Sequence, residues 1–401
     1  LSLHTENEAL AECPNCQSFA LTKRKFIIPA GFAPDINEKP PLDKGEAQTI
    51  VGRTTRAQLE VEVENNWDQE HYDGRLGVIA KPKNLVMVNK GPGDKGFMIC
   101  PRCGRSEPSF GPFNPSPVMM KGGVPRRHLH PLESGVMCDG AAVGPYFYGH
   151  RFLTDVLMLQ IRFESPLTCP LLGNSSSSSE AARSALTSLV EALSLAASRV
   201  LQIEEGELSG NWSPVLNSNN QKAQIFLYDL LPGGAGYTKQ IQERLPEVLE
   251  ATEELLAGCV CEASCYNCLR HYANNFFHHQ LNRRLALDLV RYIRHREIPV
   301  VEPARMAKAL KPLKEILRLR DVECCSDKVI DGTLIPLSIN AARGGEILLD
   351  VHHPLINPFA EPSSISKTAN RKFKPFVSID AFTLEHNLPK VFDELDGKRS
   401  G

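Results

Sequence analysis

The chain has 401 residues, 42% of them apolar and 23% charged, with a formal net charge of -2. These proportions are those of an ordinary globular protein with room for two or three domains, and no run of 18 apolar residues marks a membrane-spanning helix. Of twelve cysteines, eight sit in metal-type clusters, so a reducing cytoplasm fits better than a secreted disulfide scaffold.

The opening LSLHTENEAL has neither an initiating Met nor the basic and apolar regions of a signal peptide, and reads as a piece of a longer protein. Residues 1–145 are expected as one domain, and its first 110 or so residues lack helical periodicity. Short apolar runs (LEVEV at 59–63, NLVMVN at 84–89, GFMIC at 96–100) alternate with Pro and Gly, the pattern of a β-rich domain. Two C-P-x-C knuckles mark its ends, Cys13/Cys16 and Cys100/Cys103. Brought together by a meander, they would make a zinc ribbon. The alternative is that one pair takes its remaining ligands from His128, His130 or Cys138. The turn-rich PRRHLHPLESG otherwise reads as a surface loop, and Cys138, Cys169 and the Cys324/Cys325 pair as core.

From about 146 to 322 strands and helices mix. FLTDVLMLQIRF (152–163) is expected as a half-buried strand with Leu153, Leu157, Leu159, Ile161 and Phe163 on one side. The Ser175–Ser179 run reads as a linker. Ala182, Leu186, Leu189, Leu193, Ala196 and Val200 then recur at the spacing of an amphipathic helix. AQIFLYDLL (223–231) reads as a central strand. It runs into a Gly-rich loop (Gly233, Gly234, Gly236) and an acidic helix that Pro246 should kink or divide. Two further helical stripes follow, Leu281 to Ile293 and Met306 to Leu317, with Pro312 expected to start a second helix. From 323 onward the chain is expected to return to strands, with a hairpin at Asp331-Gly332 and a buried strand EILLDV (346–351). The fold class expected is α+β.

Cys259, Cys261, Cys265 and Cys268 form the densest chemical signal, a C-x-C-x3-C-x2-C cluster. Zinc favours a tetrahedron of thiolates, and four protein ligands leave no open position, so such a metal would be structural. Just downstream the charge turns basic, with twelve Lys/Arg against four Asp/Glu between Arg270 and Arg320. Such a face can meet phosphate, although from charge alone a merely solvated helix face is the preferred reading. The Gly-rich loop lacks both Gly-Lys-Ser/Thr and a third glycine at the dinucleotide spacing. It reads as tight helix–sheet packing, with Asp229 capping a backbone N–H. His278-His279 and His352-His353 point in different directions within each pair, and a shared catalytic metal is not expected there.

The stretches LYDLLPGGAGY, CVCEASCYNCLRHYANN and the run from His278 to Arg284, with YGHRFLTDVLML upstream, resemble the MrfA-like zinc-binding region of superfamily 2 DEAD/DEAH helicases. That group includes DNA-repair helicases of the MrfA type and helicases of anti-phage systems such as DISARM and Druantia. Asn282 stands where the resemblance leads one to expect an aspartate. The resemblance implies a helicase or translocase whose ATP-hydrolysing motor domains precede Leu1, and carries the zinc role onto Cys259, Cys261, Cys265 and Cys268. Asp393-Glu394-Leu395-Asp396 looks like a helicase magnesium motif but, without a Walker A loop, reads as a solvated turn.

The expectation is thus a non-catalytic accessory region that guides DNA, single-stranded by preference, with Arg270, Arg283, Arg284, Arg291 and Arg294 on phosphate; Tyr266, Tyr272 or Phe276 either stack on bases or belong to the core, and Phe276 with Phe277 reads as core. Its rival is a protein-docking scaffold joining other subunits of a defence complex. A nuclease centred on Asp350 is the weakest reading. No membrane partner is expected.

Overall fold

The computed structural model describes residues 26–30, 58–59, 67–91, 95–109, 128–171, 177–215, 221–341 and 344–400. Cys13, Cys16 and most of LEVEV lie outside them. The chain divides into two compact units, residues 1–63, 81–156 and 229–235, and residues 64–80, 157–228 and 236–401.

The first half is built of β1 (Phe26–Ile27), β2 (Gln58–Leu59), β3 (Gln69–His71), β4 (Leu76–Asn89), β5 (Phe97–Ile99), β6 (Ser106–Pro108), β7 (His128–Leu129), β8 (Met137–Cys138) and β9 (Val143–Arg162). After it come α1 (Ser177–Leu201), β10 (Leu208–Pro214), β11 (Lys222–Asp229), α2 (Tyr237–Glu243) and α3 (Leu245–Ala257). A 3-10 segment (Tyr272–Gln280), α4 (Arg283–His295) and α5 (Pro303–Leu319) complete the helical region. The last part holds β12 (Cys324–Ile330), β13 (Thr333–Asn340), β14 (Glu346–His352), α6 (Ser364–Arg371), β15 (Phe376–Asp380), α7 (Ala381–His386) and α8 (Leu388–Ser400).

In the first unit β1 runs parallel to β9, pairing Phe26 with Phe147, while β5 runs antiparallel to it, pairing Phe97 with Tyr146. Ile27, Phe97 and Ile99 form a small core against Tyr146 and Tyr148. The unit also holds two hairpins, β5–β6 and β7–β8.

The second unit is organised around α1. Its apolar residues do not make one stripe: Ala181, Ala185, Val190, Ala192 and Ala197 are buried as well as Leu186, Leu189 and Leu193. A helix apolar on nearly every side must be enclosed. Residues 179–201 are long and apolar enough to cross a membrane, yet 72% of an apolar 18-residue window among them lies inside the protein, as befits a core helix. Of the serine run expected as a linker, residues 177–179 instead open this helix, with Ser179 buried, and the rest lies outside the described residues. Around α1 pack Leu157, Leu159 and Ile161 of β9, Ile225 and Leu227 of β11, and the buried faces of α3 and α4. From Leu157 to Ile161 β9 is buried on both faces rather than half-buried, and Leu153, expected inside, is 53% exposed. Pro246 divides the acidic helix, sitting in the first turn of α3 where its missing N–H has no partner to lose.

The C-terminal part is a small mixed sheet with helices, not the β-rich extension expected. Strands β12, β13 and β14 are antiparallel, and β15 joins parallel to β14 after the crossover α6. The hairpin at Asp331-Gly332 forms as the sequence indicates, with both residues at positive φ (49° and 77°), the two-residue turn whose twist suits paired strands. Leu310, Leu313 and Leu317 of α5 cover this sheet together with Leu384, Val391 and Leu395. Pro312 lies inside α5, which begins at Pro303, so it does not start a helix. The acidic Asp393–Asp396 stretch lies on α8 with Leu395 buried, not in a turn, and Cys324 and Cys325 are exposed rather than core.

Candidate metal centre

The four clustered cysteines converge. Their Sγ atoms lie within 4.8 Å of one another, with Cys259–Cys265 at 3.5 Å, Cys261–Cys268 at 3.7 Å and Cys265–Cys268 at 3.8 Å. A tetrahedron with zinc–sulfur bonds of about 2.3 Å has edges of about 3.8 Å, so the donor set fits the ion. These separations are far longer than the roughly 2.05 Å of a disulfide. Thiolates packed this closely repel one another, and full deprotonation needs a cation among them. The backbone N–H of Cys261, donated to sulfur, draws the Cys259 thiol down to about 7, whereas burial pushes Cys268 up to about 12.

Local chain geometry explains the convergence. Helix α3 ends as Gly258 N–H donates to Glu254 O at 2.8 Å, delivering Cys259 and Cys261 on the exit. The Cys265 carbonyl then accepts N–H groups from Cys268, Leu269 and Arg270 at 2.9–3.1 Å, a tight turn that brings Cys265 and Cys268 to the same side. Leu269 is fully buried and anchors the turn in the core around α1.

Among the described residues, Arg283 is not a surface cation. It is buried, donating Nε to Cys261 O at 2.7 Å and Nη1 to Leu256 O at 3.0 Å. Its guanidinium therefore ties the start of α4 to the metal loop and to the end of α3, and it has no capacity to reach phosphate. Arg291 and Arg294 are committed to Glu253, and His295 joins the same carboxylate. Arg270 donates Nε to Ser264 Oγ at 2.9 Å. Arg270 and Arg284 have no ion pair among the described residues, although Arg284 shares a cleft of about 500 Å³ with the Lys308–Glu262 and Arg305–Glu385 pairs. Tyr266, Tyr272 and Phe276 are exposed, at 71%, 72% and 47%, and Tyr266 meets His278 edge-on at 5.5 Å.

The polar network behind this loop is not evident from the sequence. Glu191, buried on α1, accepts from His271 Nε2 at 2.8 Å and Asn274 Nδ2 at 2.6 Å. Asn274 Oδ1 accepts the His271 N–H at 2.9 Å and meets His278 Nε2 at the same distance. A glutamate inside an otherwise apolar helical run was the available signal. His353 is buried with Nε2 3.1 Å from Asp288 Oδ2, while His352 Nδ1 meets the His353 carbonyl at 3.0 Å.

The Gly-rich loop holds its own carboxylate. Asp229 Oδ2 accepts the Ala235 N–H at 2.7 Å, the cap expected of it. Gly234 sits at φ 84°, and a Cβ there would fall 2.2 Å from the Asp155 carboxylate. Gly233 and Gly236 also adopt positive φ.

In the first unit Cys100 and Cys103 come together with His128 and Cys138. This corrects the reading of His128 as surface loop and of Cys138 as plain core. His130 is not part of the group.

A four-cysteine site fastened between two helices and a core strand-helix layer is the mark of a structural zinc-binding domain, and residues 189–269, which span all four cysteines, match the family model of the MrfA Zn-binding domain. Over 98% of its length the chain is homologous to the Druantia protein DruE of Escherichia coli (strain UMEA 4076-1), at 28% identity over 408 residues. It spans about a fifth of that relative's length (21%). A 45-residue stretch is 38% identical to the uncharacterized ATP-dependent helicase YprA of Bacillus subtilis (strain 168), covering 11% of this chain and 6% of that protein. Among solved structures, DUF1998 helicase MrfA bound to DNA aligns over 60% of this chain and 25% of that one, with 13% identity and a TM-score of 0.33.

Proposed function

We propose that this chain is a non-catalytic accessory region of an ATP-dependent DNA helicase or translocase, acting in anti-phage defence or DNA repair, in which the four-cysteine zinc site presents a surface for single-stranded DNA. ATP hydrolysis, in this reading, belongs to motor domains elsewhere in the longer protein. The observation that carries it is that exposed Tyr266 and Tyr272, with Phe276 following, lie close along the chain to Arg270, an arginine held by Ser264 and without an ion pair among the described residues. Aromatic faces accept any base, and a cation beside them holds backbone phosphate without reading sequence. The homology to DruE and the helicase name of the second relative support the motor context.

Among the five arginines, Arg270 and Arg284 carry the phosphate role, since Arg283 is occupied by carbonyls and Arg291 and Arg294 by Glu253. The test is fluorescence anisotropy of a labelled single-stranded oligonucleotide with the full chain over a salt series. Binding should weaken with salt, Arg270→Ala should reduce the slope by about 0.7, and Tyr266→Ala or Tyr272→Ala should lower affinity roughly 5- to 150-fold. Binding that is absent, or indifferent to salt, removes this reading in favour of a protein-docking scaffold.

A further inference from the structure

We infer that Cys100, Cys103, His128 and Cys138 form a second structural zinc(II) centre, separate from the four-cysteine site and confined to the β-rich unit. Two hairpins supply the ligands in matched pairs. The first pair comes from the knuckle between β5 and β6. There Cys100 N–H donates to Arg105 O at 2.8 Å and Gly104 N–H to Cys100 O at 2.9 Å, closing a tight turn that brings Cys103 beside Cys100. The second pair comes from β7 and β8, where His128 and Cys138 are register partners directly across an antiparallel ladder. Directly opposite side chains start about 4.5–5.5 Å apart at Cβ, which suits two ligands of one ion.

The four ligand atoms lie within 4.8 Å of one another, with Cys100 Sγ to Cys138 Sγ at 3.9 Å and Cys103 Sγ to His128 Nε2 at 3.1 Å. Cys100, Cys138 and His128 are buried, at 0%, 5% and 8% exposure. Three thiols and an imidazole gathered out of water, with no carboxylate among them, are a zinc donor set rather than a magnesium or calcium one. Four protein ligands leave no position for substrate, so the ion is structural.

Two neighbouring features are shaped around the ligands. A Cβ on Gly140 would fall 2.6 Å from Cys100 Sγ and 3.3 Å from Cys138 Sγ, so glycine there leaves the sulfurs room to converge. The Gly140 N–H also approaches Cys138 Sγ at 3.4 Å. Arg105 reaches from the first hairpin to Leu129 O on the second at 3.3 Å, and Arg102 pairs with Asp139, so the hairpins are fastened on both sides of the cluster. The apolar core beside β5 is small. A metal staple is the usual remedy where short strands cannot bury enough apolar surface.

The test is elemental analysis of the full chain, with zinc release followed as a mercurial titrates the thiols. Two zinc ions per chain are expected. Cys138→Ser and His128→Ala should each reduce the content to one, and Cys265→Ser should remove the other ion independently. His128→Cys, which restores a four-ligand zinc set, should keep two, and it separates ligand loss from misfolding. One zinc in the unaltered chain, iron in place of zinc, or undiminished zinc in Cys138→Ser would each overturn the assignment.

Discussion

Arg283 Nε donates to the backbone carbonyl of Cys261 across 2.7 Å, so the first residue of α4 is bonded to the metal loop itself. Its Nη1 also donates to the Leu256 carbonyl at the end of α3, where the helix dipole favours a cation. One buried guanidinium thus holds together the helix before the cysteines, the loop that bears them and the helix after.

Replacing Arg283 with alanine leaves the buried Leu256 carbonyl unpaired, at about 1–3 kcal/mol, and frees the half-buried Cys261 carbonyl at a smaller cost. Arg283→Ala should lower the urea midpoint and speed zinc loss to a chelator. Arg283→Lys should rescue only part of it, because an ammonium cannot span both carbonyls as a planar fork does. Unchanged chelation kinetics in Arg283→Ala would show that the arginine merely fills space.

Asn282 is the N-cap of α4, its Oδ1 accepting from Arg284 N–H at 3.1 Å and Leu285 N–H at 3.3 Å. That is the role left to it once the expected aspartate is absent. Asn282→Ala should destabilise by about 1 kcal/mol, while Asn282→Asp should hold or slightly raise stability at neutral pH, because a carboxylate keeps the acceptor and favours a helix start. Thermal unfolding of the two variants side by side distinguishes capping from simple packing.

Glu346 sits between Lys328 Nζ at 2.7 Å and Lys374 Nζ at 2.5 Å. Burial alone would raise its pKa, but the hydrogen bonds from the two lysines outweigh it and hold the carboxyl at about 2 instead of 4.5. A depressed carboxylate contributes stability that is complete above its unfolded pKa and lost as pH falls through the folded one. The contribution should therefore fade between about pH 4.5 and about pH 2. Denaturant midpoints measured across that range should fall less steeply in Glu346→Gln than in the unaltered chain.

Much of this protein is written locally. The four-cysteine site was legible because its ligands fall within ten residues, so turn chemistry alone brings them near one another. The same holds for the Asp331-Gly332 turn, the division of the acidic helix at Pro246 and the Asp229 cap, each decided by neighbours a few residues away. The tertiary structure alone decided which distant groups meet. Cys100 finds Cys138 because one hairpin docks on another, and no spacing rule encodes that. Arg283 and Arg284 are adjacent and chemically identical in the sequence, yet one is enclosed among carbonyls and the other lines a cleft. Periodicity gives the direction in which a side chain leaves its helix; what lies in that direction depends on packing between elements far apart in the chain.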